Sequence, residues 1–196
     1  MNKLMGFYEL KNSTLPTIKW EVYDGQQNFN KKQLWTLRTA VYQGKDINLP
    51  RYIGINGEEA KKNADALYSQ FKESGMVIYY PYFIAEKSGT LNVFIDKTVI
   101  EAVKEDLWNL VTYSKKDVTI IQDKNEELRY IGDEHFLRED ELSELMKYVP
   151  VVKSMFKEQL IEGESILLEW SYAYNCGVDR NKIGSKYLVF YEARTV

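Results

Sequence analysis

Two apolar, β-prone runs near the carboxy terminus constrain this chain more than any other feature. They are Ile166-Leu167-Leu168-Glu169-Trp170-Ser171 and, after a polar stretch, Tyr187-Leu188-Val189-Phe190-Tyr191-Glu192-Ala193-Arg194. Such runs need a sheet to pair their backbone and a core to take their side chains, so together they predict a hairpin whose strands carry charge. That hairpin would gather Glu169, Glu192 and Arg194 in one neighbourhood. Two carboxylates and a guanidinium suit a Mg²⁺-nucleotide, because hard oxygens bind the metal while the planar cation takes phosphate oxygens two at a time. The same three side chains would also serve as an ion-pair network at the end of a hairpin.

Upstream, the pattern switches between strand and helix without internal repeats. Strand-like runs cover Gly6–Leu10, Thr17–Tyr23, Leu34–Tyr42, Met76–Glu86, Thr90–Ile95, Val99–Val103, Val118–Gln122 and Glu127–Ile131. Ala60, Ala64, Leu67 and Phe71 recur at helical spacing within Gly57–Ser74, with Gly75 as a stop. A second helix is expected from about Arg138 to Gln159, kinked or split at Pro150, whose ring and missing N–H interrupt the hydrogen-bond ladder. Many short strands with a few amphipathic helices give an α+β class. The polar stretch Tyr23–Lys32 reads as a loop, not a linker, so a single domain is expected.

Several function classes fall away on composition. The chain has 196 residues, 44% of them hydrophobic, enough for one or two cores. A formal net charge of −3 offers no general footprint for nucleic acid. The single cysteine, Cys176, excludes an internal disulfide and a cysteine-rich metal site, which fits a reducing, cytoplasmic setting. With no apolar run of membrane-spanning length and no export signal in Met1–Gly25, neither a membrane nor secretion is expected. The one histidine, His135, is expected in a surface loop without a catalytic role. Neither a Walker-type loop nor a Gly-x-Gly-x-x-Gly fingerprint is present, so a nucleotide would need another scaffold.

Four collinear segments resemble the amino-terminal ATP-grasp domain of phosphoenolpyruvate synthase and pyruvate phosphate dikinase. The carboxy-terminal pair is similar to that family's Asp-Ile-Glu-Trp-Ala and Leu-Tyr-Ile-Leu-Gln-Ala-Arg strands. Trp35-Thr36-Leu37-Arg38-Thr39-Ala40 is similar to its Val-Arg-Ser-Ser-Ala, and Tyr52–Phe71 to the helix that follows with Glu-Glu-Ala. Met76–Leu91 is similar to its strand, short turn, Ser-Gly-Val and strand, and Glu101-Ala102-Val103-Lys104-Glu105-Asp106 to its Asn-Ala-Gln-Gly-Glu-Asp.

The resemblance implies a single ATP-grasp-like domain over 1–196, with a divergent part at 1–33 and a family-like region at 34–196. It implies ATP held with Mg²⁺ between two α+β lobes of mostly antiparallel sheet. Arg38 and Arg194 would then hold the phosphates as the catalytic cations, Glu169 the metal, and Glu192 the place of a glutamine near the metal. Glu105 would sit near the ribose. Phosphoryl transfer asks a protein mainly for positioning and charge neutralisation, which arginine and Mg²⁺ supply. Such a domain needs a partner chain carrying a phosphorylatable histidine. The sequence departs from the family in lacking the Gly-Gly-Lys-Gly loop within Met1–Lys32, in Leu167 for Asp, in Glu192 for Gln and in Lys104 for a turn glycine. Those departures leave a second expectation open, a degenerate, non-catalytic domain for protein interaction or nucleotide sensing.

The remaining readings are structural. The run Ile78–Phe83 is expected in the core, Glu86–Thr90 as a hairpin turn and Val178–Lys186 as the solvated loop of the last hairpin. Trp35, Trp108 and Trp170 are expected as core anchors.

Overall fold

The computed structural model describes residues 1–43, 49–107, 110 and 115–196. Trp108 lies outside the described residues. The α+β class is observed: a four-stranded and a six-stranded antiparallel sheet, each with helices. The chain forms two compact units, one of Met1–Thr17, Ala85–Tyr172 and Leu188–Val196, the other of Ile18–Ile84 and Ala173–Tyr187.

In the second of these, β1 (Glu21–Tyr23), β2 (Trp35–Val41), β3 (Arg51–Ile55) and β4 (Gly75–Pro81) make a sheet in the order β1-β4-β2-β3. Helix α2 (Gly57–Phe71) lies on one face. It begins with a capping box, in which the Asn56 side chain accepts from Glu58 and Glu59 N–H and Glu59 returns to the Asn56 N–H. The apolar spacing read from the sequence is the observed one, since Ala60, Ala64, Leu67 and Phe71 are buried against Leu37, Val77 and Tyr79. Tyr23 in β1 donates to Asp65 at 2.5 Å, and Lys61 Nζ donates to both at 2.7 Å. These bonds hold the Asp65 carboxyl below its usual range.

The other unit is built on the six-stranded sheet of β5 (Phe83–Val93), β6 (Thr98–Lys104), β7 (Val118–Gln122), β8 (Leu128–Gly132), β9 (Ile166–Cys176) and β10 (Lys182–Thr195), in the order β10-β9-β5-β6-β7-β8. Helices α3 (Glu139–Lys147), α4 (Val149–Met155) and α5 (Lys157–Ile161) supply Leu145, Val149, Val152, Phe156 and Leu160 to its core. From the sheet come Leu91, Ile100, Ile120, Leu168 and Trp170, at alternate positions along their strands. The expected break falls at Pro150, which takes the first turn of α4, where its missing N–H costs nothing.

A buried carboxylate ties these layers together. Glu141, 1% exposed, receives a 2.6 Å hydrogen bond from Lys87 Nζ in β5, and its Oε2 also accepts from the Arg138 N–H at the start of α3. The Glu141 carbonyl accepts from the Tyr172 hydroxyl of β9 at 2.6 Å.

Several expectations are corrected. Gly6–Leu10 is helix, not strand: α1 (Lys3–Lys11) is capped by the Asn2 side chain, and Phe7 and Leu10 are buried at helical spacing. Its Gly6 presses on β10, where a Cβ would stand 1.8 Å from the Ala193 carbonyl oxygen. Met76–Glu86 is interrupted at Tyr82, whose N–H turns to the Leu34 carbonyl. Glu86–Thr90 is no turn but the middle of β5; the turn lies beyond it, where Phe94 N–H bonds Lys97 O at 2.9 Å. Gly89 is needed there for close approach instead, since a Cβ would lie 2.1 Å from the Glu101 carbonyl and 2.5 Å from the Trp170 ring. Strand β3 escaped the sequence reading, and Lys182–Lys186 belongs to β10 instead of a loop. Ile78, Tyr79, Tyr80 and Trp170 are buried as expected, with Trp35 partly buried against the second core.

Three outcomes check this account. Gly89→Ala should destabilise by about 3 kcal/mol in urea unfolding, since backbone and indole both block the added methyl. Lys87→Met, which removes the ammonium from the buried Glu141 carboxylate and leaves it the Arg138 N–H and a guanidinium at 3.7 Å, should cost about 3 kcal/mol. Asp65 contributes stability that is present above the normal carboxylate pKa and lost as pH falls through its lowered value. Asp65→Asn should therefore flatten the fall of Tm below about pH 4.

Candidate functional site

Strand alternation gives the six-stranded sheet two chemically different faces. In β9, Ile166, Leu168, Trp170 and Tyr172 join the helix-covered core, so Glu169 and Ser171 project to the other side. In β5, Leu91 and Val93 join that core, so Ser88 and Thr90 share the face of Glu169. Ser88 Oγ and Ser171 Oγ meet at 2.8 Å, which fixes this assignment across neighbouring strands. The result is a row of buried hard-oxygen groups: Ser88 at 0% exposed, Ser171 at 1%, Thr90 at 7% and Glu169 at 8%. Burial of a carboxylate among hydroxyls costs desolvation energy that an apolar residue would avoid, which marks the row as chemically specialised.

Glu192 and Arg194 lie on β10. The last two strands close on each other at Ser165 and Val196, whose N–H and C=O groups exchange hydrogen bonds of 3.0 Å. Glu169 and Glu192 each stand four residues from that closing pair along their own strands. Glu192 is 1% exposed and is flanked by two cations, Lys3 Nζ of α1 at 3.3 Å and Arg194 Nη1 at 3.9 Å. Lys3 was not legible as a member of this cluster, because it reaches Glu192 from the opposite end of the chain.

The other expected residues are placed elsewhere. Arg38 is half-buried in β2, in the other unit, opposite Ile78 on one side and Arg51 on the other. Glu105 follows β6 with an exposed side chain and a positive φ of 62°, its N–H bonded to the Glu86 carbonyl at 2.9 Å and its carboxylate 4.0 Å from Lys104. His135 is exposed in a loop, as expected. Arg180, read as part of a solvated loop, instead lies over the Tyr82 ring at 5.8 Å and donates to the Gly54 carbonyl at 2.9 Å.

Mg²⁺ asks for hard oxygen donors. This ion commonly takes one or two protein carboxylates and completes its shell with water and phosphate oxygens. Glu169, on the face that carries the buried hydroxyls, and Glu192, which meets the Lys3 ammonium, are carboxylates of that kind. Among the described residues no three His, Cys, Asp or Glu side chains cluster as a metal cage.

No protein-family model matches the chain, and no curated protein matches it. Among solved structures, the D-alanine–D-alanine ligase of Bacillus anthracis is similar at 12% identity and a TM-score of 0.47, over 100% of this chain and 56% of that one. The macrocyclase MdnC of Microcystis aeruginosa MRC, bound with the precursor peptide MdnA, is similar at 11% identity and a TM-score of 0.39, over 97% of this chain and 51% of that one. The chain thus spans about half the length of these structures.

Proposed function

We propose that the chain is a Mg²⁺-ATP-binding, ATP-grasp-like phosphotransferase domain of the phosphoenolpyruvate synthase and pyruvate phosphate dikinase type, completed by a partner that carries the phosphorylatable histidine. The observation that carries this reading is the buried row of Glu169, Ser171, Ser88 and Thr90 on the sheet face turned from the helices. Oxygen donors held on paired strands are preorganised for a hard cation and its attached phosphates. Mg²⁺, when bound, would neutralise phosphate charge. Glu169 would hold the metal, with Glu192 beside it when Lys3 withdraws. Arg194, 36% exposed at its side chain, would turn its guanidinium from Glu192 to phosphate oxygens. Glu105 would accept from the ribose hydroxyls.

A second reading draws on Lys3. Its ammonium already neutralises Glu192, and a closed ion-pair cluster at that point suits a degenerate, non-catalytic domain used for protein interaction or nucleotide sensing.

Thermal unfolding separates the first reading from a protein-interaction module without a nucleotide. Under the first reading, Mg²⁺-ATP raises Tm, since a ligand at roughly 100 times its Kd adds about 2.7 kcal/mol of stability. ATP without Mg²⁺ should do less, and Glu169→Gln should erase the difference. Arg194→Lys should weaken binding while leaving the ligand-free Tm in place, because charge is kept and the planar fork is lost. No shift at millimolar Mg²⁺-ATP would leave the non-catalytic reading.

A further inference from the structure

The larger sheet has one margin whose backbone phase can be read bond by bond. Strand β8 stands at the end of the strand order and pairs with β7 from Val118 opposite Gly132 to Gln122 opposite Leu128. Beyond one end the Asp133 N–H bonds the Asp117 carbonyl at 2.8 Å, and beyond the other the Asp123 N–H bonds the Glu127 carbonyl at 3.2 Å. Bonded and non-bonded pairs alternate along an antiparallel ladder, so Arg129 and Ile131 turn their N–H and C=O groups to β7, while Leu128 and Tyr130 turn theirs away from it. Gly132 shares the outward phase but, at a φ of 101°, ends the straight stretch. Among the described residues, none takes up the outward backbone groups of Leu128 and Tyr130.

The side chains and charges around these groups are selective. Tyr130 packs against the helix-covered core, and Leu128 shares its face, while Arg129 and Ile131 leave on the other. Leu128 and Ile131 are both exposed, so a strand laid beside β8 covers apolar surface on both faces of the sheet. A shallow depression lined by Ile121, Asp123, Glu127, Leu128 and Arg129 opens where the strand begins. Between Asp123 and Glu134 the chain sets five acids, Asp123, Glu126, Glu127, Asp133 and Glu134, against the two cations Lys124 and Arg129. The acids bracket the edge at both ends.

We propose that β8 is a docking edge for an extended segment of a partner protein, with a β-branched centre and a cluster of Lys or Arg at each end, which joins the sheet as a further strand. The outward groups of Leu128 and Tyr130 fix its register, and the bracketing acids attract its ends in either strand direction. The same acids turn away a strand with acidic ends. This edge is independent of the nucleotide reading and does not rest on it.

Fluorescence anisotropy of the labelled peptide Lys-Lys-Val-Thr-Val-Thr-Val-Lys-Lys with the whole chain tests it, beside two controls: Glu in place of every Lys, and N-methylation throughout the centre. The lysine-ended peptide should bind, more weakly as salt rises, and each control at least tenfold more weakly. On binding, hydrogen exchange should slow at the Leu128 and Tyr130 amides and stay unchanged at Arg129 and Ile131, which already bond β7. Leu128→Pro removes an outward N–H without touching the β7 ladder and should weaken binding about fivefold, the scale of one lost hydrogen bond. Glu127→Lys combined with Glu134→Lys should reverse the preference in favour of the glutamate-ended peptide. The proposal is overturned if the lysine-ended peptide does not bind, if the slowed amides lie outside β8, or if the N-methylated form binds equally well, which would mean contact through charge alone. Sedimentation showing that the chain by itself associates through these amides would assign the edge to a second copy and overturn it as well.

Discussion

Glu141 is the group on which the larger unit is organised. Its carboxylate is almost fully withdrawn from water, yet it receives an ammonium from β5 and a backbone N–H from the start of α3, and its carbonyl receives a phenol from β9. A buried charge of this kind tolerates only a narrow geometry, because every lost partner exposes the desolvation cost of the rest. Dispersion and apolar burial can be satisfied by many slightly shifted packings of helix on sheet. The three bonds at Glu141 pick one of them, and with it the lateral position of α3 over β5 and β9. The faces of those two strands are thereby settled, including which residues are turned away from the helices.

The polar row on the reverse face follows from that choice. Glu169 and Ser171 alternate with Leu168, Trp170 and Tyr172, and Ser88 and Thr90 with Gly89 and Leu91. Trp170 seats its ring against Gly89, so the two strands interlock on the core side and meet through Ser88 and Ser171 on the other. The glycine and the two serines therefore do related work: the first allows contact of indole with backbone, and the second pair satisfies hydroxyls that the contact buries.

Much of this was legible in local pattern. The helix at Gly57–Phe71 carried its apolar spacing and, at Gly75, its stop in one continuous segment, and Pro150 announced the break between α3 and α4. The errors arose where local preference competed with distant packing. Phe7 and Tyr8 are strand-prone, but the Asn2 cap and the fit of Gly6 against β10 make their segment helical. Ser88 and Gly89 look like turn residues, and they occur mid-strand because a tryptophan eighty residues away fills the space. Of the site residues, Glu169, Glu192 and Arg194 were legible as ends of β-prone runs. Lys3 and Lys87 were not, since each matters through a partner that only tertiary structure supplies.

The six-stranded sheet ends on one side at β8, where Leu128 and Ile131 are 41% and 62% exposed. Such an edge invites a second chain to add itself strand to strand. An antiparallel copy laid in full overlap about Tyr130 would set Glu127 against Asp133 and Glu126 against Glu134, acid against acid at both ends. Gly132, at a φ of 101°, further bends the backbone out of line where pairing would continue. The charges bracketing this short strand thus set a repulsion against pairing of two such edges in that register, across an otherwise partly apolar sheet margin.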